Sequence, residues 1–542
     1  MTEFNDAIQK VFAFDTPSVA LGSVMHDGSV HAELQAKIPL AMMNRHGLIA
    51  GSTGTGKTRT LQLLAEELSR AGVPSFVSDV KGDLSGLCKP GVVNPKIVER
   101  LAGTGKTFSP EGFPVEFYSL TGNRGTQLRA TVSSFGPILL SKVLDLTSTQ
   151  QSVLSMVFKY CDDRQMPLLD FKDLRDVLNY LGNEGKADLK EYGGMSPATV
   201  GVLIRKMVEL EQQGASKFFG EPELDIHDLI RTAADGRGVI NILSLSDVQD
   251  KPRLFSTFLM WLLGQFYFTL PEVGDVDKPK LVFFFDEAHL LFDGASTQLV
   301  EHIEQVARLI RSKGIGVFFI TQTPKDVDQD VLAQLGNRIQ HAVRAFTPQD
   351  AKNLRATAST FPTSDFYEID KTLTSLGIGE ALVSVLNPKG VPTAVTIAQI
   401  LPPSSVMGQA DDADYRSRVD VTALALVVEA HVAAHNGEVE SQARFGHPVD
   451  GFAELPHHLG VLRVAEVQVV DQAQRARPRG GDVEGRLDHH HGRTPTGVDR
   501  APPAVPVGAE GDSLRAVGRG NARRLEPQDR SVGAGGDDGV QE

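Results

Sequence analysis

Apolar-rich segments recur along the chain at GLIA (Gly47 to Ala50), PSFVSD, PVEFYSL, RGVINILSL, LVFFF (Leu281 to Phe285) and IGVFFIT. Most lack the alternation of a half-exposed strand. That pattern is expected of strands covered on both faces of a parallel sheet. Between them the spacing becomes helical. In TRTLQLLAEELSRAG, Leu61, Leu64, Ala65 and Leu68 share one face, and Gly72 followed by Pro74 is a stop signal. In STQLVEHIEQVARLIRSKG, Leu299, Ile303, Val306 and Ile310 do the same. Strands alternating with helices predict an α/β fold with a mostly parallel, doubly wound sheet.

Two regions depart from this rhythm. VALGSVMHDGSVHAEL has a DG turn between strand-like runs and predicts a hairpin at 18–38. Residues 125–235 read as helices. TSTQQSVLSMVFKY carries a capping-box pattern from Ser148 to Gln151, LLDFKDLRDVLNYLG ends at Gly182, and Ser196 with Pro197 opens a third helix. The expected organisation is an N-terminal segment with the hairpin (1–45), a first part of the core (46–124), a helical insertion (125–235), a second part of the core (236–405) and a tail (406–542).

The tail is set apart by composition. Lys389, Ile400 and Met407 are the last residues of their types, and from residue 411 onward there are fifteen arginines and no lysine. Such a Pro/Gly/Arg-rich segment is expected to be disordered, because it has too little apolar surface to offset chain entropy. Translation out of frame from GC-rich DNA accounts for the same change, since codons for Lys, Ile, Met and Phe then become scarce.

Charge and cysteine content narrow the class. A net charge of −14 argues against a general nucleic-acid binder, yet leaves room for a motor that is basic only along a pore. Cys88 and Cys161, far apart in sequence, form neither a disulfide framework nor a metal motif, and the N-terminus lacks a signal-peptide pattern. The longest apolar stretch, FLMWLLGQFYFTL at 258–270, is too short for a membrane span and reads as a buried helix. A cytoplasmic protein is expected.

The pentapeptide GTGKT occurs twice, at 54–58 and 103–107. The first completes GSTGTGKT, after the GLIA strand and before a helix. Backbone N–H groups of such a loop, together with the helix N-terminus, cradle phosphates. The expected nucleotide contacts are Gly51, Ser52, Thr53, Gly54, Thr55, Gly56, Lys57, Thr58 and Arg59, with Lys57 on the β and γ phosphates of ATP and the Thr58 hydroxyl on Mg²⁺. The second copy has Arg100 where the first glycine belongs, a helix-like NPKIVERLAG before it, and Pro110, Gly112 and Pro114 after it. It predicts a helix C-cap and turn with a solvated Lys106.

Hydrolysis needs more than a phosphate cradle. In PKLVFFFDEAHLLF an apolar strand ends in Asp286, placed for the Mg²⁺ shell, and Glu287, placed to polarise water. IGVFFIT ends in Thr321 and Gln322, with Gln322 expected as a catalytic sensor of the γ phosphate. Asp79, Lys81 and Asp83 either border the site or face solvent. An arginine offered to a neighbouring subunit could be Arg308, Arg311, Arg338 or Arg344, with Arg338 the first choice.

GLIAGSTGTGKT, SDVKGDLSG, LVFFFDEAHLLF, RLIRSKGIGVFFITQTPKDV and LGNRIQHAVRAFTPQD, in that order, resemble the motifs of the HerA-like helicases within the HerA/FtsK superfamily, most closely its bacterial YjgR-type branch. The resemblance covers about residues 10–405. It implies a RecA-like P-loop NTPase that binds ATP and Mg²⁺ and assembles as a hexameric homo-oligomer. Lys57, Thr58, Asp286, Glu287 and Gln322 would take the roles given above. Double-stranded DNA is the expected partner, and a motor for protein substrates is the alternative.

Overall fold

The computed structural model describes residues 2–419 apart from 250, 275 and 293–296. Its strands are β1 (Ser18–His26), β2 (Ser29–Pro39), β3 (Gly47–Ala50), β4 (Ser75–Asp79), β5 (Val115–Ser119), β6 (Thr126–Gln127), β7 (Ile240–Ser244), β8 (Leu281–Phe285), β9 (Ile315–Thr321), β10 (Asn337–His341), β11 (Glu380–Ser384) and β12 (Thr396–Ile400). They form one sheet in the order β2-β1-β12-β11-β10-β3-β9-β8-β4-β7-β5-β6. From β10 to β6 every pairing is parallel; from β2 to β10 every pairing is antiparallel.

Apolar layers cover both faces of the parallel part, which is why its strands read as continuous runs. In β8, Leu281, Phe283 and Phe285 join one layer while Val282 and Phe284 join the other. The first layer continues into the expected insertion, through Phe135, Leu154, Leu174, Leu203 and Phe218. The segment 258–270 belongs to helix Pro252–Thr269, whose buried Trp261 donates from Nε1 to Ser134 Oγ at 3.0 Å. The second layer holds Leu61, Leu64 and Leu68 of helix Lys57–Arg70.

Several expectations are refined. The hairpin turns at Asp27 (φ 48°) and Gly28 (φ 73°), but its strands extend the core sheet rather than standing apart. The insertion begins with β6, still paired to β5. Its first capping box sits one residue early: the Thr147 side chain accepts from the Gln150 N–H, and Gln150 Oε1 accepts from the Thr147 N–H. TSTQQ offers two overlapping registers, and the helix takes the earlier. Cys88 and Cys161 are buried free thiols.

The largest correction concerns the start of the tail. Residues 406–419 are part of the folded body, ending in helix Asp412–Val419. Gly86 N–H donates to Gly408 O at 2.9 Å, Ala410 N–H to Ser85 Oγ at 2.8 Å, and the Tyr415 ring stacks on Phe117 at 4.2 Å. Helix Lys57–Arg70 is tied to the start of the same segment, because Gln62 Nε2 donates to Val406 O at 3.0 Å, and buried Glu66 accepts from the N–H groups of Ser404 and Ser405 just before it. A single buried aromatic anchors a polar helix here, so composition changes before the packing stops. The remaining tail, and the out-of-frame reading of it, lie outside the described residues. Tyr415→Ala is expected to lower unfolding stability by about 2–4 kcal/mol in denaturant titrations, as truncation of a buried aromatic does. A loss below about 0.5 kcal/mol, the scale of ordinary surface changes, would show that the segment contributes no packing.

Candidate functional site

The carboxyl ends of β3, β9, β8 and β4 lie side by side, and each carries a motif. The glycine loop follows β3, Thr321 and Gln322 close β9, Asp286 and Glu287 follow β8, and Asp79 closes β4. The β9 strand separates the glycine loop from the acidic pair. Ligands bind at this end of a parallel sheet.

Positive φ at Gly51 (152°), Gly54 (77°) and Gly56 (125°) gives the loop its curl. A side chain would also collide: a Cβ at Gly51 would lie 2.6 Å from His341 Cβ, and one at Gly56 3.1 Å from Gly379 Cα. The loop is fastened from β10 and its exit, where Ser52 N–H donates to Ala342 O (2.9 Å) and Arg344 N–H donates to Ser52 Oγ (2.9 Å). Lys57 Nζ donates to the loop's own carbonyls, Gly51 O at 2.7 Å and Ser52 O at 3.3 Å. Burial pulls this ammonium below its ordinary pKa, against the opposing charges of Glu287 and Asp286, which places all three in one electrostatic neighbourhood. Thr53 and Gly54 form the exposed tip, Thr58 is half-buried in the first helical turn, and Arg59 Nη1 donates to Gln62 Oε1 at 3.0 Å.

The acidic pair is buried. Burial first, then the Glu287 charge, pushes Asp286 up to about 7, and its Oδ2 has no hydrogen-bond partner among the described residues. Glu287 adopts φ 49°, an uncommon conformation for a residue with a side chain. Its Oε1 accepts from Lys81 Nζ at 2.5 Å, while Oε2 is buried without a hydrogen bond. Lys81 therefore borders the site, a question its sequence left open. Asp79 shapes the Lys81 loop by accepting from the N–H groups of Gly82 (2.7 Å) and Leu84 (3.1 Å). Burial, then Asp83, pushes Asp79 up to about 6.

The remaining candidates are less converged. Gln322 is exposed at the end of β9, whereas Thr321 Oγ1 donates to Asp326 Oδ2 at 2.6 Å. Arg338 lies at the entry of β10, the end of the sheet away from its own glycine loop, and touches Leu332 O and Leu335 O at 3.4 Å each. Arg308 pairs with Glu304, and Arg344 donates to Thr374 O at 3.0 Å. The second GTGKT follows helix Pro95–Leu101 as a turn, with Lys106 exposed.

Sequence reasoning missed the brace behind the glycine loop. Buried His341 ends β10 and is pulled down to about 4 by burial. Its Nδ1 faces Glu380 O at 2.9 Å, so that nitrogen carries the proton, and Nε2 accepts from Thr60 Oγ1 at 2.8 Å. The signal lay in IQHAV, a short apolar-flanked run whose polar members are buried and paired.

A model of the family described as Helicase HerA-like C-terminal matches residues 25–436. The chain belongs to that family. It is a P-loop ATPase. Among curated relatives, the DNA double-strand break repair helicase HerA of Sulfolobus acidocaldarius is 22% identical over 392 residues, 69% of each chain. The probable helicase MJ1565 of Methanocaldococcus jannaschii is 21% identical over 403 residues, 70% of this chain and 66% of that one. Among solved structures, the bacterial conjugative coupling protein TrwB is 14% identical, with TM-score 0.47 over 75% of this chain and 93% of that one. VirB4 of Thermoanaerobacter pseudethanolicus is 16% identical, with TM-score 0.44 over 74% and 98%. Among the described residues no helix is long and apolar enough to cross a membrane.

Proposed function

We propose that this chain is an Mg²⁺-dependent ATPase that works as a homo-oligomeric ring, a hexamer, moving along double-stranded DNA. The observation that carries the reading is that the glycine loop with Lys57 and the buried pair Asp286 and Glu287 follow the carboxyl ends of β3 and β8, on either side of β9 in one parallel sheet. Membership of a helicase family, and relatives named as DNA helicases, support the choice of DNA.

In this reading the N–H groups of Gly54, Gly56, Lys57 and Thr58, at the loop and the helix N-terminus, hold the phosphates, while Ser52 and Thr55 spend theirs on Ala342 O and Ser52 O. Lys57 exchanges its two carbonyl contacts for the β and γ phosphates. Thr58 and Asp286 would hold Mg²⁺, which would neutralise charge on the phosphates; the buried Asp286 Oδ2, without a hydrogen-bond partner among the described residues, fits that duty. Glu287 orients a water and takes its proton, with Lys81 holding Oε1 and His289 Nδ1 lying 3.4 Å from Oε2. Gln322, at the exposed end of β9, reaches toward the γ phosphate. Arg338, at the entry of β10 and away from its own glycine loop, is the candidate for a neighbouring subunit's site.

ATP hydrolysis measured without nucleic acid, with single strands and with duplex tests the substrate. Duplex is expected to stimulate turnover several-fold, with a steep loss of stimulation as salt rises. Intact basal hydrolysis that no nucleic acid changes would contradict a DNA motor and favour a protein substrate.

A further inference from the structure

The segment that carries the second GTGKT has its own connection to the phosphate loop. Helix Pro95–Leu101 is capped by Asn94, seats Ile97 and Leu101 in the body, and projects Arg100 toward the start of β11. The guanidinium donates to three carbonyls: Nε to Ile400 O at 3.1 Å, Nη1 to Ile378 O at 3.0 Å and Nη2 to Gly379 O at 2.5 Å. Charged donors to carbonyls are among the stronger hydrogen bonds, and a rigid planar fork suits three acceptors at once.

The turn that Arg100 grips touches the phosphate loop directly. Gly379 N–H donates to Thr55 O at 2.8 Å, so one residue stands between Arg100 and the loop. Gly379 has φ 74°, and a Cβ there would lie 2.4 Å from Arg100 Nη2. Glu380 closes the turn from the other side, its Oε2 accepting from Gly377 N–H at 2.7 Å, while its carbonyl receives the His341 proton described above. The sheet cannot supply this contact alone, because β10 lies between β11 and β3. The turn, with glycines at 377 and 379, is tied at Gly379 O both to β12, through Ile400 N–H at 2.9 Å, and to Arg100.

We infer that Arg100 is a positioning residue for nucleotide binding: it clamps the Gly377–Glu380 turn onto Thr55 and so pre-forms the phosphate loop. Losing the clamp leaves three carbonyls without their charged donor and transfers the ordering of the loop to the binding step. Affinity for ATP falls, whereas the hydrolytic step, once ATP is bound, proceeds with the same Glu287. Nothing in this role uses Lys106.

The inference rests on the phosphate loop at 51–58 being the ATP site, so Lys57→Ala is the control. In steady-state ATPase assays on the full chain, Arg100→Ala is expected to raise KM for ATP about tenfold while kcat stays within about threefold, as loss of ground-state positioning does. Added guanidinium ion, at concentrations that leave wild type unaffected, is expected to restore most of the KM. Arg100→Lys, which reaches one carbonyl at a time, is expected to fall between the two and serves if the alanine variant does not fold. An unchanged KM in either variant, with Lys57→Ala inactive, would overturn the inference alone. A fall in kcat at constant KM without guanidinium rescue would overturn it too. Wild-type turnover in Lys57→Ala would overturn the site itself and the inference with it.

Discussion

Lys57→Ala is expected to reduce ATP turnover by at least about a hundredfold, while Lys106→Ala leaves it within about twofold. The first magnitude is that of losing one fixed positive group from a site where charge develops. Lys57 belongs to the first turn of a helix that starts at the loop, and its ammonium sits in the field of Asp286 and Glu287. Its contacts to Gly51 O and Ser52 O keep it folded over the loop, ready to exchange carbonyl oxygens for phosphate oxygens. Lys106 has the same neighbours in sequence and none of these in space. It follows a helix end, in a turn where Thr104 Oγ1 accepts from its N–H, and its side chain is exposed. The helix and turn before it serve the site through Arg100 instead.

The second large effect is expected at Glu287. Glu287→Gln should bind ATP with near wild-type affinity and hydrolyse it about a hundredfold to ten-thousandfold more slowly, the range for removing a general base. Glutamine keeps the volume, and the backbone around φ 49° retains its bonds from Ala288 N–H to Ile320 O at 2.8 Å and from Leu290 N–H to Glu287 O at 2.9 Å. Lys81 loses its ion-pair partner, but its side chain is half exposed and can be solvated. Trapping of radiolabelled ATP on the variant, followed by product analysis, separates binding from hydrolysis. Turnover close to wild type would remove Glu287 from the chemistry and make the Lys81 contact a structural ion pair.

Much of this site was legible before the structure. The strands of the parallel part are buried on both faces, so LVFFF and IGVFFIT could be recognised as unbroken runs, and the polar residues that end them then stand at the ligand edge. A phosphate loop is likewise local, since strand, glycines and helix follow one another directly. The features that stayed hidden depend on contacts between distant segments. β10, NRIQH, is buried yet mostly polar, because Asn337 and Gln340 spend their amides on nearby carbonyls. His341, Gly379 and Arg100 converge on the loop from three parts of the chain, and none lies in a pattern that periodicity detects. The folded segment 406–419 was hidden for a related reason: its place depends on Tyr415 meeting Phe117 and on hydrogen bonds with Ser85 and Gly86, all distant in sequence, while from residue 411 it already has arginine and no lysine.

The central claim is that the chain has one nucleotide site, built on the first GTGKT. Calorimetric titration of the full chain with ADP and Mg²⁺ counts the sites. One nucleotide per chain is expected for wild type and for Lys106→Ala, with binding lost in Lys57→Ala. Two nucleotides per chain, or one that survives Lys57→Ala and disappears in Lys106→Ala, would contradict it.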